Sequence, residues 1–175
     1  MKTFLATMLF LGSLCAGYAE EETYSRELLF APGADTTLSP ERYFTELDLN
    51  GDGIDELIIS ESASLGGTGG LIYNLYLGIG QDRFLLLSNF LSGIMAVDTQ
   101  GETKRLWSYS HSSASSGTIQ YYYFDSEDVL QRSHSMIIYP GDGGSLVGNM
   151  ICRAIFSEDR KLQFTKLGAF NSTGD

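Results

Sequence analysis

Oxygen-bearing side chains recur through one short stretch of the chain: Asp48, Asn50, Asp52 and, further on, Asp55 and Glu56. Gly51 and Gly53 fall among them, and Ile54 follows. Calcium is a hard cation that takes roughly six to eight oxygens in a flexible shell. Alternate spacing lets side-chain oxygens converge when the chain coils tightly, and glycine supplies the backbone angles of such a coil. In this pattern Asp48, Asn50 and Asp52 offer side-chain oxygens and Ile54 offers its backbone carbonyl. The Ile54 side chain is then free to point into the core. Asp55 and Glu56 are the carboxylates available to close the shell; Glu56 is preferred and Asp55 is the alternative. The cofactor this stretch predicts is Ca2+. Magnesium resists dehydration and suits such a cage less well. The competing reading is a polar Asn-Gly/Asp-Gly turn with no metal.

The residues after the loop decide which kind of site it is. An EF-hand closes with a bidentate Glu at the end of its loop, and the equivalent place here is Ile59. Leu57, Ile58 and Ile59 form an apolar, largely β-branched run with no helical period, so the loop feeds a strand. This arrangement resembles the calcium loops of FG-GAP and VCBS-type repeats, found in integrin α-chain propellers and many bacterial secreted proteins. The resemblance implies side-chain ligation by Asp48, Asn50, Asp52 and Glu56, and carbonyl ligation by Ile54. Glu56 stands where that family more commonly has Asp.

The elements that must position the loop read as short strands. Apolar and aromatic runs predict strands over 42–47, 56–60, 71–77, 84–90, 94–97, 106–109, 119–124, 129–139, 150–156 and 162–167. The last two make a hairpin around 157–160, and Ser39-Pro40-Glu41 marks a helical turn. The glycine-rich run 66–70 lacks a following Lys and helix, so it reads as a hairpin loop, not a phosphate cradle. A weak internal echo is present. Asp98 to Glu102 parallels Asp48 to Asp52, and 106–109 parallels 57–60, at a spacing of about fifty residues, the scale of a propeller blade. In the second unit Thr103 replaces the second glycine and Lys104-Arg105 replaces the acidic close, which predicts a loop that has lost calcium. Two or three such units are too few to close a propeller, which needs about four blades or more. The expected fold class is therefore mainly β: an open, blade-like antiparallel β-domain or a compact β-sandwich, built from about two degenerate repeats.

Length and composition bound the rest. The chain has 175 residues, 43% of them hydrophobic, enough for one domain with a core. Its formal charge of −11 argues against a nucleic-acid partner, whose phosphates it would repel. Residues 1–19 have the form of a secretory leader: Lys2, an apolar run, then Gly17 and Ala19 at the cleavage positions. The expected partition is a leader over 1–19, an arm over 20–38, a β-domain over 39–170 containing the 48–56 loop, and a polar tail over 171–175. The implied address is secreted or periplasmic. Cys15 raises a lipid-anchored alternative, which Leu14 disfavours. No later segment is apolar enough to span a bilayer. Cleavage leaves Cys152 alone, so no internal disulfide forms; as part of a strand it would share a face with Met150, Ala154 and Phe156 as an inert thiol, or link a dimer if exposed. Asn171 opens a formal glycosylation sequon.

Catalytic readings are weaker. His111 and His134 are the only histidines, and no HxxxH or CxxC spacing suggests zinc. His111 lies among serines but without a GxSxG elbow. Asp55, Glu56 and Glu61 offer carboxylates for glycoside cleavage, yet two of them are better explained by calcium. Tyr121, Tyr122, Tyr123 and Phe124 alternate along a strand, so one pair faces the core and the other is available to a protein or glycan. The leading expectation is a secreted non-enzymatic calcium-binding β-domain that supports a protein or glycan contact. The alternatives are a periplasmic inhibitor or immunity-type protein that binds a partner protein, and a hydrolase using the acidic loop.

Overall fold

Leu57, Ile58 and Ile59 are apolar at every step, and the strand they form, β3 (Glu56–Ser60), is buried along its whole length. A strand reads this way when both of its faces are covered. The computed structural model describes residues 22–31, 41–63, 67–101, 103–113, 116–133, 135–138 and 146–167. The leader at 1–19, Cys15, Ser39-Pro40, Gly66, His134, the turn at 141–144, the Asn171 sequon and the tail at 171–175 lie outside the described residues.

The protein is mainly β, an open antiparallel β-domain as the sequence predicts, with two sheets, one of them curled into a half-barrel. Sheet 1 has the order β1 (Thr23–Ser25), β5 (Arg83–Ser92), β4 (Leu71–Gly78), β3, β2 (Arg42–Leu47) and β11 (Thr165–Leu167). Sheet 2 runs β10 (Met136–Ile138), β8 (Gly117–Phe124), β7 (Arg105–His111), β6 (Ile94–Asp98), and β9 (Leu130–Arg132) also pairs with β8. The expected strand at 129–139 is thus split into β9 and β10. Their pairings with β8 differ by one residue in register, the mark of a bulge around Ser133, whose hydroxyl accepts the Tyr121 N–H.

The two sheets share a core. Ile58, Tyr73, Leu75 and Phe90 of sheet 1 meet Met95, Leu106, Tyr122 and Phe124 of sheet 2. A register shift between Leu75 and Tyr76 swaps the faces of β5. Phe90 therefore lies opposite Tyr73 in the shared core, while Phe84 joins Tyr76, Leu57 and Ile59 on the outer face. Helix α1 (Arg26–Phe30) covers that outer face through Leu29 and Phe30, and the Ser25 hydroxyl caps it by accepting the Leu28 N–H. Arg42 ties α1 to the sheet by donating to the carbonyls of Leu29, Ala31 and Ser60. Residues 22–31 are therefore integral to the domain. This corrects the expected N-terminal arm over 20–38 for the part the structure describes.

A second correction concerns residues 150–156. They belong not to a strand but to helix α2 (Leu146–Ile155), which lies on the outer face of sheet 2. Gly148, Ile151, Cys152 and Ile155 fall at helical spacing, and the last three pack with Phe156 against Ala96, Tyr109, Ile119 and Ile138. The run also alternates, so its period alone is ambiguous; docking onto an apolar sheet face decides for the helix. The expected hairpin with 162–167 is absent. Instead the chain after α2 passes along the open edge of β6, where Leu162 N–H reaches the Met95 carbonyl, and then pairs with β2 as β11. Leu162 and Phe164 close the side of the shared core on the way. Among the described residues no helix is long and apolar enough to cross a membrane.

Candidate metal centre

The stretch 48–55 connects β2 to β3, and it is coiled by its own side chains. The Asp48 carboxylate accepts the N–H groups of Gly51 (2.5 Å) and Gly53 (3.3 Å). Asn50 Oδ1 accepts Asp52 N–H at 3.1 Å, and Asp52 Oδ1 accepts Ile54 N–H at 2.7 Å. These are successive Asx turns, each bending the backbone back toward a short polar side chain. Gly51 and Gly53 have φ of +87° and +85°, and a Cβ at either position would meet nothing within 4 Å. Both are there for backbone conformation and not for space.

Leu49 anchors the coil: it is 4% exposed and sits in the shared core. Ile54 does not enter the core as expected. The residue is 39% exposed, and its side chain lies over the backbone of Gly78 and Gly80 at the end of β4. Asp55 is exposed, whereas Glu56 is 0% exposed at the first position of β3. Glu56 Oε2 accepts Leu49 N–H at 2.6 Å, while Oε1 is buried without a hydrogen-bond partner. Burial pushes the Glu56 carboxyl up to about 7; the nearby N–H groups of Leu49 and Asn50 oppose the rise, and the charges of Asp52 and Asp48 add to it. Of the two candidates for the closing ligand, Glu56 is thus the one turned to the loop backbone.

Sequence reasoning passed over one participant. Lys104, from the loop between β6 and β7, crosses from sheet 2 to place its ammonium 2.5 Å from the Asp48 carbonyl and 3.6 Å from Asp48 Oδ2. The internal echo was the available signal: it aligns 48–52 with 98–102 and so puts the two loops at matching places. Lys104 also lines a cleft of about 340 Å3, together with Leu49, Asn50 and Thr103 on one side and Phe124 and Asp125 on the other.

Oxygen donors fit a hard cation chemically, and Glu56 Oε1 is a buried carboxyl oxygen with no hydrogen-bond partner. Among the described residues, however, no three His, Cys, Asp or Glu side chains stand in a metal-holding cluster. Asp48 and Asp52 are turned to backbone N–H groups of the coil, so a cation would draw on their remaining lone pairs, on Asn50 and on the Ile54 carbonyl.

His111 Nδ1 faces the Tyr109 hydroxyl at 3.3 Å, and Ser112 pairs with Thr118. Of the aromatic strand, Tyr122 and Phe124 are buried in the shared core. Tyr121 and Tyr123 are half-buried on the outer face, where Tyr121 packs against Trp107 at 4.6 Å with Arg105 over its ring. No protein-family model, no curated protein and no solved structure matches the chain.

Proposed function

We propose that the protein is a secreted, non-enzymatic β-domain in which one calcium ion orders the 48–56 loop and thereby supports a protein or glycan contact. The observation that carries this reading is Glu56: a fully buried carboxylate with one unpartnered oxygen, beside a loop coiled by Asp48, Asn50 and Asp52. A divalent cation would neutralise these carboxylates and supply the missing partner. The matching places of the 48–55 and 99–104 loops, each between the first and second strands of an up-and-down run, support reading the chain as two degenerate FG-GAP-like units. Lys104 in the second unit supports its loss of metal.

The test is a thermal melt in chelator and across a calcium titration. A site filled at 100 times its Kd adds about 2.7 kcal/mol, which is several degrees for a domain of this size. Asp52→Ala should remove the calcium-dependent rise and change the melt in chelator little. Equal losses in both conditions would reject the assignment.

A partner-binding role has its own support. Leu146, Val147 and Met150 on α2, with Ile137 on β10, are all more than 60% exposed, apolar area of the kind that protein interfaces use. Recovery of one defined protein by the wild-type chain, lost on Met150→Asp, would favour the inhibitor or immunity-type reading.

A further inference from the structure

We propose that Lys104 is a tethered competitor of the metal: its ammonium serves the 48–56 loop as a built-in cation, and calcium must displace it. This inference rests on the calcium reading above. Lys104 Nζ is bonded to the backbone carbonyl of Asp48 and stands 3.6 Å from its carboxylate, which is the first ligand of the proposed site. It comes from the other sheet, so the contact also pins the two loops together at this end of the fold. An ammonium beside Asp48 offsets part of the negative charge of Asp48, Asp52 and Glu56. A divalent cation arriving in the same coil meets that positive charge at short range, and the two repel.

The cleft beside Lys104 gives the ammonium somewhere to go. Its far rim carries Asp125 and Asp128. Asp125 is held by N–H groups of Glu127 and Val129 and by the Gln131 side chain, which fixes its charge in place. Asp128 is exposed at the same turn. In the metal-bound protein Lys104 swings from Asp48 toward this acidic turn. Calcium thus exchanges a contact between the two sheets for one within sheet 2. The loop keeps a cation in both states.

Calorimetric titration of calcium chloride into wild type, Lys104→Met and Lys104→Arg tests this, with melts of each protein in chelator. Lys104→Met should bind calcium about tenfold tighter or more at low salt, the gain shrinking as salt screens the repulsion. It should also melt below wild type in chelator. Lys104→Arg should stay near wild type in both. Binding by Lys104→Met alone would overturn the calcium reading, and with it the claim that calcium displaces Lys104. Equal or weaker binding by Lys104→Met would overturn it and leave the calcium reading intact. No binding by any of the three would overturn both. If Lys104→Met does not fold in chelator, Lys104→Gln takes its place in the same comparison.

Discussion

Glu56 is a carboxylate kept from water at the start of a central strand, and its energetics follow from that position. Its folded-state pKa lies near 7, above the ordinary 4.5. Between those values the folded protein holds a proton that the unfolded chain has released. The contribution to stability is fully present below about pH 4.5 and is lost as pH rises through about 7. Metal-free protein should therefore melt progressively lower as pH is raised from 5 to 8, by on the order of 2–3 kcal/mol at most. Glu56→Gln should flatten this profile, raise the metal-free melting temperature at pH 8, and abolish the response to calcium. Saturating calcium should flatten the wild-type profile too, because the ion takes the place of the proton. A wild-type profile in chelator that rises over this range would show that Glu56 is not the controlling group.

Helix α2 is the element where local pattern and tertiary context disagree. Residues 146–156 carry both an alternating and a helical apolar period, and the helix wins because its 148/151/152/155 stripe fits the outer face of sheet 2. The two periods predict different exposures. A strand would put residue 150 and residue 152 on one face. In the helix Met150 is 62% exposed, whereas Cys152 is half-buried and its thiol is pushed up by burial. A thiol reagent at neutral pH should label Cys152 slowly in the native protein, since the thiolate is scarce and shielded. Met150→Cys in a Cys152→Ser background should label fast. Similar slow rates at both positions would undo the helix assignment. Strands β2 to β8, by contrast, end near where the sequence places them, because β-branched and aromatic runs bounded by Gly, Asn and Asp leave little choice of state.

At the scale of the molecule, stability concentrates where the two sheets meet. Ile58 is fully buried there between Leu49, Tyr73 and the residues of sheet 2. Ile58→Ala should destabilise by about 2–5 kcal/mol. Ile137→Ala, at an exposed place on β10, should change stability by less than about 0.5 kcal/mol. Urea denaturation of both variants checks this. A small effect at Ile58 would mean that the sheets do not share one core. The C-terminal chain adds to the joint by lying along β6 and then β2, so each sheet has one edge covered by the same segment.

The sequence by itself determined the fold class, the strands of the two up-and-down runs, and the coil of the 48–55 loop. Each depends on residues close in the chain: period-two apolar runs, Asx side chains two to five residues from the N–H groups they accept, and glycines at positive φ. Tertiary structure alone decided three other matters. It made residues 22–31 part of sheet 1, because β1 needs the edge of β5, distant in sequence. It turned 146–155 into a helix, because the outer face of sheet 2 required an apolar cover. It set Lys104 against Asp48 from 56 residues away, a contact that no local pattern encodes.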